Sequence, residues 1–155
     1  MHLFLIGAGH VGLVTAAGLA RLGHDVTVAD IDAERIDGLR RGVTPVFEPG
    51  LDEALAACAA AGRLAFTTEL RPGGDRAVSI VTVSTPTGPD GPLSTANVEQ
   101  VVRSLLESTG AGHTIVVRST LPVDGPARLL ALRGSGPDRA AMHVSMPSME
   151  SAPCH

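Results

Sequence analysis

Short apolar runs alternate with longer amphipathic stretches along the whole chain, the pattern of strands and helices taking turns around a parallel sheet. Six runs have the length and the Val, Ile and Leu content of strands covered on both faces: Leu3–Ile6, Asp25–Ala29, Leu64–Thr67, Ser79–Val83, Thr114–Val117 and Met142–Ser145. Between them, helical spacing runs through His10–Leu22, Ala33–Arg41, Leu51–Ala61, Thr95–Ser108 and Gly125–Leu132. Starts and stops agree with these limits. Asp32 stands where an N-cap belongs before Ala33, Pro49-Gly50 precedes the third helix, and Ser94 or Thr95 is the expected cap of the fourth. Gly23, Gly42, Gly62 and Gly110 occupy C-cap places. The pattern predicts an α/β fold, a doubly wound parallel sheet in one domain over residues 1–145, followed by an irregular tail at 146–155.

Composition narrows the chemistry. With 155 residues, 44% of them hydrophobic, the chain has enough apolar material for one domain with a real core. All 12 basic residues are Arg, set against 16 acidic ones with no basic cluster, which argues against nucleic acid as a partner. Lys, Tyr and Trp are absent, so the chain itself offers neither a Schiff base nor a phenolic general acid. The opening apolar run is far shorter than a signal or membrane segment, so a soluble, cytoplasmic protein is expected, with no membrane partner. Cys58 and Cys154 make neither a disulfide framework nor a zinc pattern, and no metal is expected. Two Pro- and Gly-rich segments read as irregular: Arg71–Asp75 as a surface turn, and Thr87–Pro92 as a loop after a strand end, where it can cover a ligand.

The first strand runs directly into Gly7-Ala8-Gly9-His10-Val11-Gly12 and then into a helix. Each glycine has its own task at this spacing: Gly7 for the sharp turn, Gly9 for close approach of a pyrophosphate, Gly12 for close packing of helix on sheet. The helix start supplies unpaired N–H groups and partial positive charge to the phosphates, with His10 and Val11 in that first turn. Asp30 closes the second strand, about where the fingerprint places the acid that binds the adenosine ribose hydroxyls. A carboxylate there repels a 2′-phosphate, which selects NAD over NADP. Asp32 reads either as a helix cap or as part of the adenosine side, and Arg35 either as an adenosine contact or as a solvated cation. Thr85 and Pro86 follow one strand end, and Ser119 and Thr120 another, where open α/β sheets bind ligands. Their hydroxyls either border the dinucleotide or bond locally to backbone.

With these residues read, the chain resembles one family, the UDP-glucose/GDP-mannose 6-dehydrogenases, over their N-terminal NAD-binding domain, which implies a Rossmann-type fold. The resemblance runs through Ile6-Gly-Ala-Gly-His-Val-Gly-Leu-Val-Thr-Ala-Ala17, Gly23-His-Asp-Val26, Asp30-Ile-Asp32 and Pro45-Val-Phe-Glu-Pro-Gly-Leu51. It continues through Gly62-Arg-Leu64, Phe66-Thr-Thr68, Thr85-Pro-Thr87, Asp90-Gly91 and Arg118-Ser-Thr-Leu-Pro-Val-Asp-Gly125. It implies NAD as cofactor, a nucleotide sugar or other small alcohol as substrate, and a place near the reaction centre for Thr120, the one candidate catalytic residue. The family's Cys, Lys, Asn and Asp for sugar oxidation belong to later domains and have no counterpart in these residues. Its S-N-P-E-F-L-R-E-G segment falls on Ser145–Pro153, with Met146, Ser148 and Ala152 in place of the Asn and the two Glu.

Two functions follow. One is an NAD-dependent oxidoreductase domain that oxidises an alcohol by hydride transfer, completed by a homodimer or by a partner chain that supplies the missing half. The other is a non-catalytic NAD-binding module with an accessory, regulatory or vestigial role. His10, His113 and His143 are the few candidate proton acceptors. A terminal Cys154-His155 pair, alone or with His143, reads as incidental rather than as a nucleophile or metal site, and Met146 and Met149 read as packing.

Overall fold

The computed structural model describes residues 1–72, 78–87, 93–134 and 140–144. Six parallel strands, β1 (His2–Ile6), β2 (Asp25–Ala29), β3 (Leu64–Thr67), β4 (Val78–Val81), β5 (Thr114–Val117) and β6 (Ala141–Val144), form one sheet in the order β3-β2-β1-β4-β5-β6. Five helices connect them: α1 (His10–Arg21), α2 (Ala33–Arg40), α3 (Leu51–Ala60), α4 (Ala96–Ser108) and α5 (Gly125–Arg133). The order is that of a Rossmann fold, and the chain reverses direction across the sheet between β1 and β4, which pair with Leu3 opposite Val78 and Ile6 opposite Val81.

The alternation of β1 explains why both faces must be covered. Leu3 and Leu5 join the apolar cluster built with α1, α2 and α3, while Phe4 and Ile6 join the cluster built with α4 and α5. All four are buried, and each buried side chain of this size contributes roughly 1.5–3 kcal/mol. Small residues at Gly12, Ala16, Ala17 and Ala20 let α1 lie close on the sheet, whereas α4 buries Val98, Val102, Leu105 and Leu106 at helical spacing.

Element limits differ from the sequence expectation by one or two residues, and the physical reasons are local. β4 stops at Val81 rather than Val83: Thr82 N–H still bonds to the Ile6 carbonyl, but the Val83 carbonyl accepts a side-chain hydroxyl, that of Ser119, and the chain leaves the ladder there. β6 begins at Ala141, which pairs with Thr114, and Ser145 lies outside the described residues. Asp32 caps α2 as expected, accepting the Arg35 N–H at 3.0 Å. Thr95 takes the N-cap place of α4, and its carbonyl accepts the Glu99 N–H, but its side chain makes no cap bond. Its backbone is already helical (φ -89°, ψ -1°), so its hydroxyl donates to Glu99 at 2.7 Å instead of turning back to a backbone N–H. Gly110 is not a left-handed cap either: α4 ends at Ser108, and the hydroxyls of Ser108 and Thr109 donate to the Ser104 and Leu105 carbonyls. Most of the expected turn at Arg71–Asp75 and loop at Thr87–Pro92, and all of the tail with Met146, Met149, Cys154 and His155, lie outside the described residues. Among the described residues, no helix is long and apolar enough to cross a membrane.

Candidate dinucleotide-binding site

The carboxyl ends of β1, β2 and β4 meet at the glycine turn. Gly7 takes φ +111°, a left-handed conformation that side chains disfavour, and an added Cβ would lie 2.8 Å from the Thr82 carbonyl. Gly12 is packed on the turn itself: a Cβ there would strike the Gly7 carbonyl oxygen and come within 2.9 Å of Thr82 Oγ1. Gly9 differs from both. Its backbone is extended (φ -83°, ψ -173°) and a Cβ would meet nothing within 4 Å, so neither strain nor protein packing demands glycine there. The free space in front of Gly9 is what a ligand approaching the backbone needs. The first turn of α1 carries no side-chain cap bond and no acidic residue of its own, so no side chain caps its leading N–H groups. His10 and Val11 are exposed in this turn, and His10 Nε2 lies 3.2 Å from Glu48 Oε2, which joins the turn to the segment before α3.

Asp30, at the end of β2, is buried and takes three hydrogen bonds. Its Oδ2 accepts the Ala8 N–H at 2.7 Å and the Arg35 guanidinium at 3.1 Å, and its Oδ1 accepts the Asp32 N–H at 3.0 Å. Arg35 also lies 3.4 Å from the second carboxylate, Asp32. The acid of the fingerprint therefore holds the glycine turn in place.

Behind the turn, Thr82 donates its hydroxyl to the Ile6 and Gly7 carbonyls at 3.0 and 3.1 Å. Its only signal in the sequence is a polar group inside the apolar run Ser79–Val83, just past the end of β4. The hydroxyl of Ser119 is buried and donates to the Val83 carbonyl at 2.8 Å, which ties the ends of β4 and β5 together. Thr120 is exposed and has no partner among the described residues. Thr85 is half-buried and Pro86 exposed, with the Pro86 carbonyl accepting the Ser94 N–H. Arg118, exposed after β5, reaches Thr15 of α1 at 3.3 Å.

The other candidate histidines lie elsewhere. His113 precedes β5 at the amino edge of the sheet, buried against Ser79, and His143 is exposed on the edge strand β6. Among the described residues, no group of His, Cys, Asp and Glu is placed to hold a metal ion. Of two concave surfaces, one of about 540 Å³ lies between α1 and α3, and one of about 420 Å³ beside α2 is lined by Arg35 and Pro45 and so adjoins the Asp30 cluster at the end of β2. The free space at Gly9 and the uncapped α1 start, groups that could hold a pyrophosphate, lie at the carboxyl end of β1 beside β4.

Residues 1–144 match the UDP-glucose/GDP-mannose dehydrogenase family, NAD binding domain. The UDP-glucose 6-dehydrogenase of Pseudomonas aeruginosa is 41% identical over 130 residues, covering 83% of this chain and 29% of that protein. UDP-glucose 6-dehydrogenase YwqF of Bacillus subtilis is 38% identical over 124 residues, covering 79% and 28%. Among solved structures, a ternary complex of GDP-mannose dehydrogenase from Pseudomonas aeruginosa superposes with a TM-score of 0.79 at 31% identity, covering 93% of this chain and 35% of that one. The chain thus spans less than a third of the length of these curated relatives. Fold order, glycine turn, acidic partner and sequence match agree: the chain belongs to the UDP-glucose/GDP-mannose dehydrogenase family, as its NAD-binding domain.

Proposed function

We propose that this domain holds NAD over the carboxyl ends of β1, β2, β4 and β5 and serves the oxidation of a nucleotide-sugar alcohol. The observation that carries the reading is the free space at Gly9, faced by an α1 start with no cap and no acid, beside a buried Asp30 that fixes the turn. Gly7 and Gly12 shape the turn, Gly9 and the N–H groups of His10 and Val11 bind the pyrophosphate, and Asp30 with Arg35 holds the adenosine ribose. Thr85, Pro86 and Ser119 form the wall from β4 and β5, with Ser119 acting through its bond to Val83. The exposed hydroxyl of Thr120 contacts the nicotinamide half.

NAD held by these residues would supply the hydride acceptor for the alcohol carbon, and a base would take the alcohol proton. The relatives named above are dehydrogenases of UDP-glucose and GDP-mannose, which suggests a nucleoside-diphosphate sugar oxidised at C6. The groups that bind the sugar come from outside these 155 residues, from further polypeptide or a second subunit. Calorimetric titration of the purified chain with NAD, followed by NADH absorbance with UDP- and GDP-sugars, tests the reading. NAD binding with NADH formation supports it. NAD binding without NADH formation under any pairing with a substrate-binding chain favours a non-catalytic module, and preference for NADP overturns the cofactor assignment.

A further inference from the structure

We infer that discrimination between NAD and NADP resides in the charge cluster Asp30–Arg35–Asp32, in which Arg35 is a phosphate-binding cation masked by Asp32. The inference rests on the dinucleotide reading above and deepens it. The fingerprint assigns the choice to one acid at the end of β2, whereas the structure shows two carboxylates sharing one guanidinium. Arg35 Nη1 lies 3.1 Å from Asp30 Oδ2, and Arg35 Nη2 lies 3.4 Å from Asp32 Oδ2.

The two acids are not equivalent. Asp30 is buried, and its oxygens are needed by the fold: they accept the backbone N–H groups of Ala8 and Asp32 whether or not a ligand is present. Asp32 is more exposed, and its backbone-directed task is the α2 cap at the Arg35 N–H, which a Ser or Asn side chain performs as well. The charge of Asp32 can therefore be removed without removing a structural bond, and that of Asp30 cannot.

The electrostatic sign follows from the count. Two carboxylates against one guanidinium leave a formal charge of about -1 where a 2′-phosphate would add roughly -1.5 to -2, so repulsion outweighs attraction. Glu34, in the first turn of α2, is offset by Arg41, which lines the same concave surface, and Asp37 and Arg40 pair with each other, so the balance stays near that count. Without Asp32, Arg35 keeps one partner, and the fork of its guanidinium, suited to phosphate oxygens, is released on the side that faced Asp32.

Calorimetry on the full chain tests this with NAD and NADP as probes, comparing the native protein with Asp32→Ser, Asp32→Asn and the double variant Asp32→Ser/Arg35→Ala. The expected result is that both Asp32 variants narrow the NAD-over-NADP affinity ratio by about tenfold, and that the double variant loses this gain. The gain should also shrink as salt is raised. If native protein binds NAD and neither Asp32 variant moves the ratio, or the double variant keeps the gain, the inference falls and the functional reading stands. If native protein binds neither dinucleotide, both fall together.

Discussion

The Asp30 carboxylate accepts the backbone N–H of Ala8 at 2.7 Å, so the end of β2 holds the turn that follows β1. Ala8 is fully buried, and no water can replace the lost acceptor without opening the turn. Asp30→Ala should therefore cost stability as well as affinity, about 1–3 kcal/mol for the stranded N–H. In a domain of this length that corresponds to a fall in melting temperature of roughly 2–4 °C per kcal/mol. Thermal unfolding with a parallel NAD titration checks it. A variant that melts like the native protein while losing NAD would assign Asp30 to the ligand alone.

The glycines of the turn separate packing from binding. A Cβ at Gly12 strikes the Gly7 carbonyl, and backbone cannot yield as a flexible side chain does. Gly12→Ala should cost about 1–3 kcal/mol or more through forced separation of α1 from the sheet. A Cβ at Gly9 meets nothing in the protein. Gly9→Ala should fold and melt like the native chain yet bind NAD at least about tenfold more weakly, because the methyl occupies the space for the pyrophosphate. Equal NAD affinity in Gly9→Ala and native protein would place the phosphates elsewhere.

What the sequence made legible was the chemistry tied to fixed local spacing. The glycine turn, the β2 acid and the α2 cap at Asp32 each depend on residues a few positions apart or on an element of standard length, and short runs rich in Val, Ile and Leu marked strands covered on both faces. The contacts that hold the site together have no such spacing. Thr82 bonds to Ile6 and Gly7 from a strand that follows in sequence only after β2 and β3, His10 meets Glu48 across the α2–α3 connection, and Ser119 turns inward to Val83 rather than outward. The side-chain cap bond at Thr95 and the left-handed cap at Gly110 are absent for a related reason. Residue type fitted both places, but backbone angles set by the tertiary path decided which groups were left to bond.

Ser119 and Thr120 are adjacent and chemically alike, yet their surroundings give them opposite expected phenotypes. Ser119→Ala removes a buried bond to Val83 and should lower stability by about 0.5–1.5 kcal/mol, loosening the join between β4 and β5. Thr120→Ala removes an exposed hydroxyl and should leave the melting temperature within about 2 °C, since surface changes stay within ±0.5 kcal/mol. Its effect should appear in hydride transfer, as a lower kcat with little change in NAD affinity, once the domain acts with its substrate-binding part. A melting loss in Thr120→Ala equal to that in Ser119→Ala would contradict this division.

The pair His113 and Ser79 supplies the opposite case, a polar contact with no part in the site. His113 Nε2 lies 2.9 Å from Ser79 Oγ, both residues are buried, and the pair sits toward the amino edge of β4 and β5, away from the glycine turn. Ser79→Ala takes this hydroxyl from the ring and should destabilise the fold by about 1–3 kcal/mol, the cost of a lost buried polar contact. NAD affinity should not move. Denaturant unfolding and calorimetry on one preparation read both quantities, and a changed NAD affinity at undiminished stability would show that the amino edge communicates with the site.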